Sequence, residues 1–274
     1  MKPVSKTAFY CCGVRMQDAK SEKPLINDQY AERLMGPEGL SYWEGFKPFA
    51  LPNGSNIARA YLIDNHLRSR LSKNPDTTVI LIGAGLDSRA FRLKGGHWIE
   101  LDEPGVIDYK NERLPVSECP NSLQRISIDF EKEELSQKLI AFANTNPVVI
   151  VEGVLMYLTQ EQRSALFQTL AHTIGQHTLL CDLMTKRFFD RMADGKPLNV
   201  LLAKYGAHFK DMLPDPGKNL EEEFGYRIIE VTSSIVTASE NGLIKIPKFI
   251  VAVLFRKLFL GYSVYKLEYP RGNS

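Results

Sequence analysis

TTVILIGAGLD, residues 77–87, is the stretch on which the fold turns. Its first seven residues are a short run of β-branched and aliphatic side chains closed by glycine. That is the composition of a strand buried on both faces of a parallel sheet. Four further stretches repeat the type: HWIELD (97–102), LQRISIDF (123–130), PVVIVEG (147–153) and HTLLCDLM (177–184). Helical patterns separate the later ones, at Pro104–Leu114, Glu131–Asn144 and Thr159–Ile174. Strand alternating with helix predicts an α/β doubly wound sheet.

Outward from this centre the rhythm changes. Before residue 77 the chain reads as helical at Thr7–Lys20 and Asn56–Ser72, with an irregular Pro/Gly-rich stretch, Gly36–Gly54, between them. After residue 185, Lys186–Leu213 reads as a helix broken at Pro197 and ended by Pro214-Asp215-Pro216-Gly217. YRIIEVTS (226–233) and the alternating YSVYKLEY (262–269) predict late strands, the second of edge-region antiparallel type, with a helix at Ile246–Leu260 between them. At roughly 150 residues per domain, 274 residues allow one domain or two. With neither repeat nor linker, one domain is the better parse: a helical cap or lid at 1–72, a core at 77–184, a substrate-facing region at 186–260 and the last strand at 262–269.

Composition excludes several classes. Lys and Arg total 34 against 32 Asp and Glu, too even for a chain built around nucleic acid. Cys11, Cys12, Cys119 and Cys181 are too scattered for a disulfide framework and offer no zinc spacing, so no metal is expected. Reduced thiols and the lack of a secretory pattern in MKPVSKTAFYCCGVRM point to the cytoplasm. FIVAVLF (249–255), the longest apolar run, falls far short of the roughly 20 residues of a membrane span.

In an open α/β sheet, ligands bind beyond the carboxyl ends of the strands. Four successive predicted ends carry acids: Asp87, Asp102 (after Glu100), Asp129 and Glu152. Each has a bland reading alone. Asp87 and Asp102 suit helix N-caps, Asp102 being followed by Pro104, and Asp129 suits a helix start. The joint occurrence points to a ligand. The first loop reads GxGxD, with Gly83 and Gly85 but no third glycine at Ser88, so it departs from the dinucleotide fingerprint GxGxxG. A pyrophosphate would be repelled by Asp87, whereas an ammonium and a sulfonium would be attracted. Asp102 stands where an acid accepts hydrogen bonds from ribose hydroxyls. S-adenosylmethionine satisfies both features, and NAD only the second.

GAGLDSRAFRL (83–93), ELDEPGVIDYKNERL (100–114) and EGVLMYLTQEQ (152–162), with SKTA (5–8) and IARAYLID (57–64), resemble the leucine carboxyl methyltransferase family. The resemblance implies a Rossmann-like class I methyltransferase, a seven-stranded mostly parallel sheet with helices on both faces and an N-terminal helical lid. It further implies that Gly83 lies under S-adenosylmethionine, Asp102 holds its ribose, Asp129 and Phe130 flank the adenine, Arg59 and Glu152 face the methionine end, and Lys6 lies near the lid. An arginine suits a carboxylate through a bidentate fork, and a glutamate suits an ammonium. The expected reaction yields S-adenosylhomocysteine and a methylated carboxylate or hydroxyl, on a small metabolite or, alternatively, a protein C-terminus.

A carboxylate acceptor needs no base, whereas a hydroxyl benefits from one. His208 is the candidate base and Tyr157 a candidate for positioning the acceptor oxygen; the plain alternatives are a solvent-facing histidine and a packing tyrosine. LIKIPKFIVAVLFRKLFL (243–260) reads as a helix packed on the sheet, with a pocket wall or a basic membrane-surface helix as the alternatives. Two other function classes stay open: a nicotinamide oxidoreductase, and a non-catalytic protein that keeps the cofactor pocket and presents its C-terminal surface to a partner.

Overall fold

The computed structural model describes residues 4–130, 134–246, 250 and 256–270. Among these residues, seven strands form one sheet: β1 (Thr78–Ile82), β2 (His97–Asp102), β3 (Ser122–Ser127), β4 (Val148–Val151), β5 (His177–Met184), β6 (Arg227–Ser233) and β7 (Tyr262–Tyr269). Their order is β3-β2-β1-β4-β5-β7-β6. The pairings from β3 across to β5 are parallel, and β7 runs antiparallel to both β5 and β6. β7 is therefore an interior strand. The edge is β6, which carries a register irregularity between Ile228 and Glu230.

The apolar runs are continuous because both faces of the sheet are covered. Successive side chains of β1 alternate: Val79 and Leu81 enter one core, Ile80 and Ile82 the other. The first core is closed by α1 (Thr7–Ala19), α2 (Ala31–Phe46) and α3 (Ala50–Lys73), through Phe9, Leu34, Ile63 and Leu67 among others. The chain then forms α4 (Arg89–Arg92), α5 (Pro104–Arg113), α6 (Leu135–Leu139) and α7 (Gln160–Thr169). Beyond β5 come α8 (Lys186–Phe188), α9 (Pro197–Lys204), α10 (Pro216–Phe224), α11 (Ser234–Glu240) and α12 (Arg256–Phe259).

Several elements depart from the sequence expectation. Gly36–Gly54 is mostly helix, not irregular. Gly36 breaks α2 with φ 56°, and Pro37 restarts it where a missing N–H costs nothing. α3 begins at Ala50, six residues before the expected Asn56. β3 ends at Ser127, so Asp129 and Phe130 lie beyond it. Lys186–Leu213 is broken into α8, a π turn at Phe189–Ala193 and α9, and is non-helical after Lys204 apart from a turn. The Pro214–Gly217 stretch starts a helix as well as ending a segment: the Asp215 side chain accepts from Lys218 N at 3.0 Å, and Pro216 opens α10. α11, capped by Ser233 Oγ, has no counterpart in the expectation. Part of the expected Glu131–Asn144 helix (131–133) and most of Ile246–Leu260 (247–249 and 251–255) lie outside the described residues, and with the latter the question of what 243–260 packs against. Among the described residues no helix is long and apolar enough to cross a membrane.

Candidate active site

Strand order reverses at β1, which pairs with β2 on one side and β4 on the other. A cavity of about 720 Å³ opens at the carboxyl ends of these three strands. Gly83 and Gly85 follow β1, Asp102 ends β2, and Glu152 and Gly153 follow β4; all five line it. α1 contributes Ala8, Cys11 and Arg15 to its wall, and residues 154–169 and 206–210 supply further wall. Five polar residues of the expected constellation are thus brought together: Arg59, Asp87, Asp102, Glu152 and His208, with Tyr157 and Phe130 also on the wall.

The first loop is fixed to its neighbour. Gly83 N and Ala84 N donate to Leu101 O at 2.9 and 3.1 Å. Gly83 has φ 70°, and a Cβ there would stand 2.6 Å from Val154 Cγ2. Glycine is required on both counts. The Asp102 carboxylate accepts from Gly85 N at 2.6 Å through Oδ2 and from Glu103 N at 2.7 Å through Oδ1. Burial pushes its pKa up to about 6 against these donors and the nearby Lys110. A carboxylate has about four acceptor positions. Two backbone bonds orient the group and leave capacity for a pair of hydroxyls. Glu100, two residues earlier, is fully buried against Lys110 (2.8 Å) and Arg125 (2.9 Å) and takes no part in the cavity wall.

Beneath the loops runs a continuous chain of ion pairs. Arg15 binds Asp28 at 2.9 Å; Arg92 lies 3.8 Å from Asp28 and 2.8 Å from Asp64. Asp64 binds Arg89 at 2.6 Å, and Arg89 pairs with Asp87 and, at 2.7 Å, with Glu152. Glu152 meets Arg59 Nε at 2.9 Å, and Arg59 Nη1 reaches Asp182 at 3.2 Å. Burial alone would raise the carboxyl pKa values of Asp87 and Glu152. Arg89 foremost holds both down, with Asp87 at about 2. Asp87 is therefore already paired, which corrects the expectation of a carboxylate standing open to a cation. Arg15 also donates to Leu86 O at 2.6 Å, tying α1 to the first loop.

Arg59 is also more committed than a bidentate fork allows. Its Nε bonds to Glu152, and its Nη1 to Tyr262 Oη at 2.7 Å and to Asp182. Among the described residues, Nη2 has the Cys11 sulfur at 3.5 Å, a weak acceptor, as its one hydrogen-bond partner. One nitrogen, not two, is left to meet a ligand carboxylate.

The other expected residues divide. Phe130 is on the cavity wall and 41% exposed; Asp129, half-buried beside it, is not among the wall residues. Lys6 is directed elsewhere: its Nζ lies 3.0 Å from Glu38 and 5.4 Å above the Tyr42 ring. Tyr157 sits edge-on to Phe209, and burial holds its hydroxyl protonated. His208 is exposed on the wall. From 186–260 the wall takes only Gly206, His208 and Lys210 among the described residues, narrowing the expected substrate-facing region. Lys210 N anchors this segment on Met156 O at 2.9 Å. No group of His, Cys, Asp or Glu suited to a metal occurs among the described residues.

Sequence reasoning missed Arg89, Asp182, Tyr262 and the cavity-facing Cys11. Asp182 had a signal: it is the one acid in HTLLCDLM and stands near the end of a fifth predicted strand. Arg89 stands inside the quoted GAGLDSRAFRL, where its burial has no sequence signature.

The fold and the cavity define an α/β domain of the class I methyltransferase type. A DUF574 family protein from Streptomyces avermitilis aligns over 94% of this chain and 97% of its own, with TM-score 0.57 and 9% identity. The methyltransferase domain of bacterial CtHen1 aligns over 77% of this chain and 100% of its own, with TM-score 0.50 and 12% identity. Residues 8–171, more than half of the chain, match the leucine carboxyl methyltransferase family, and the chain belongs to that family. A relative from Mycobacterium bovis, named "Putative S-adenosyl-L-methionine-dependent methyltransferase", is 31% identical over 196 residues, 64% of each chain. One from Mycolicibacterium gilvum with the same name is 29% identical over 188 residues, 61% of each. The match thus spans a little over three fifths of the length of these relatives.

Proposed function

We propose that the protein transfers a methyl group from S-adenosylmethionine to a carboxylate or hydroxyl oxygen of a small metabolite, leaving S-adenosylhomocysteine. The observation that carries this reading is one cavity holding two kinds of anchor. Asp102, oriented by two backbone N–H groups, suits ribose hydroxyls. Arg59 and Glu152, an oppositely charged pair on the same wall, suit the carboxylate and ammonium of an amino acid. Gly83 and Gly85 present bare backbone to the cavity at two positions of the loop after β1. The residues therefore fit the cofactor.

When bound, the cofactor supplies a methyl group on a positively charged sulfur that leaves as a neutral thioether. The chain's own task is to align an acceptor oxygen and exclude water. α1 serves the second purpose as part of the cavity wall. Tyr157, with its hydroxyl held protonated, suits donation to an acceptor oxygen and not proton removal. His208, exposed on the cavity wall, is assigned the role of taking a proton from a hydroxyl acceptor; a carboxylate acceptor leaves it idle. The free cysteines fit a reducing compartment, and we assign the activity to the cytoplasm.

A nicotinamide dinucleotide is less well served. The pyrophosphate of such a ligand rests on the N-terminus of a long helix. Here the loop leads into α4, which has only four residues.

Titration calorimetry with S-adenosylhomocysteine and with NAD(P) tests the cofactor, and transfer of labelled methyl to candidate acids and alcohols tests the reaction. Binding of the nucleoside thioether and turnover on an oxygen acceptor are expected. Binding of NAD(P) instead would overturn the reading, and cofactor binding without turnover on any acceptor would favour a non-catalytic binding protein. His208→Ala separates acceptors, with a loss of about 10²- to 10⁴-fold in kcat for a hydroxyl and little change for a carboxylate.

A further inference from the structure

Arg59 is held from behind by two residues that do not reach the cavity. Asp182, two residues before the end of β5, is 1% exposed; Tyr262, the first residue of β7, is 9% exposed; neither is on the cavity wall. The three side chains form a closed triangle. Arg59 Nη1 donates to Tyr262 Oη at 2.7 Å and to Asp182 Oδ2 at 3.2 Å, while Tyr262 Oη donates to the same Asp182 oxygen at 3.0 Å. The second Asp182 oxygen, Oδ1, accepts from Gly153 N at 2.7 Å. One carboxylate therefore fixes both the arginine and the backbone next to its partner Glu152.

The geometry restricts what Arg59 can offer. With Nε and Nη1 satisfied, Nη2 lies between Cys11 Sγ at 3.5 Å and Gly153, where an added Cβ would stand 3.3 Å away. Cys11 and Gly153 are both on the cavity wall. Gly153 has φ 69°, so its backbone is a turn that a side chain would strain as well as crowd.

We propose that Asp182 and Tyr262 are positioning residues for the amino-acid end of the cofactor. They lock the Arg59 guanidinium so that Nη2 alone meets the ligand carboxylate, and Asp182 sets the Glu152–Gly153 turn so that Glu152 meets the ammonium. The inference rests on the cofactor reading above and adds how its charged end is held. Pre-orientation matters because an unrestrained arginine loses rotamer freedom on binding, a cost that a guanidinium already locked in place does not incur.

Two ligands isolate the effect. S-adenosylhomocysteine carries the amino and carboxylate groups; 5′-methylthioadenosine keeps the nucleoside and thioether and lacks both. Dissociation constants for each are measured by calorimetry, or by competition where the heat is small, on the wild type, Tyr262→Phe and Asp182→Asn, with melting temperatures alongside. Tyr262→Phe keeps the ring that fills the core and removes one hydrogen bond to the guanidinium, so it tests the idea even where Asp182→Asn fails to fold. The expected result is about a tenfold loss for S-adenosylhomocysteine in Tyr262→Phe, with methylthioadenosine unchanged within about twofold. Equal losses for both ligands, or no loss for either, would overturn the positioning role while leaving the cofactor assignment standing. A wild-type protein that binds neither ligand would overturn the cofactor assignment and the positioning role with it.

Discussion

The Arg89–Asp87 pair offers a quantitative test of how the site holds its charges. Arg89 is 1% exposed and joins three carboxylates, Asp64, Asp87 and Glu152. Arg89→Met leaves Asp64 with Arg92 and Glu152 with Arg59, but removes the guanidinium paired with Asp87. Burial opposes ionisation of Asp87. Arg89, followed by Arg15, Lys110 and Arg92, nevertheless brings its pKa from the ordinary 3.8 to about 2. At about 1.4 kcal/mol per pH unit that difference is worth roughly 2.5 kcal/mol near neutrality, with Arg89 first among the groups that lower the pKa. Breaking a buried pair from one side costs about 3–5 kcal/mol. Arg89→Met should therefore lose about 3–5 kcal/mol of unfolding free energy and Asp87→Asn about 2–3. The double variant should lose about 2 kcal/mol less than the sum of the two. Urea unfolding of the four proteins at pH 7 measures this coupling. Because the folded pKa of Asp87 is depressed, the coupling is fully present above about pH 4 and fades as pH falls toward 2. A coupling below about 0.5 kcal/mol at pH 7, or one that grows on acidification, would refute the reasoning.

Asp102→Ala should weaken S-adenosylhomocysteine binding by about 1–3 kcal/mol in calorimetry through the lost hydroxyl contacts. The same carboxyl has a raised folded pKa, about 6. The stability it contributes is thus complete below pH 3.8 and lost as pH rises through 6, so wild-type stability should fall more steeply over that range than the variant's. Gly83→Ala should cost about 2–4 kcal/mol in thermal or urea unfolding, since it adds a left-handed alanine and a 2.6 Å clash with Val154. Gly195→Ala, at φ 64° with open space around it, should cost about 1–2. Thr159→Ala removes the box in which Thr159 and Gln162 cap the start of α7, and should cost about 1 kcal/mol by the same measurement.

The sheet was legible because most of its strands are short β-branched, apolar-centred or alternating runs set between turn residues. HWIELD, HTLLCDLM and YSVYKLEY coincide with β2, β5 and β7 to the residue. Elsewhere local signals have two meanings. A glycine followed by proline at 36–37 ends one helical segment and starts another, and Pro214–Gly217 stops a chain segment and caps the next helix. Ser233 ends a strand and caps a helix at once, which hid α11. At the site, the acids after β1, β2 and β4 could be placed because a parallel sheet delivers strand ends to one side. Their partners could not. Arg59 and Tyr262 are 203 residues apart and Arg59 and Asp182 are 123 apart, and no spacing encodes contacts that only the assembled sheet creates. Lys6 shows the converse: its position in a motif did not foretell that Glu38 would take its ammonium group.

The placement of β7 inside the sheet has a consequence for how the protein comes to be made. Until residues 262–269 emerge from the ribosome, β5 has no neighbour on its outer side and β6 has no strand to pair with. At that stage Arg59 and Asp182 lack Tyr262, the third member of their triangle. A nascent chain can build β1 to β5 and still lack the Tyr262 hydroxyl that bonds the Arg59 guanidinium. The ordering of Arg59 is thus coupled to the arrival of the last strand, and a protein stalled before residue 262 exposes an unpaired edge on β5 for chaperones to recognise or other chains to pair with.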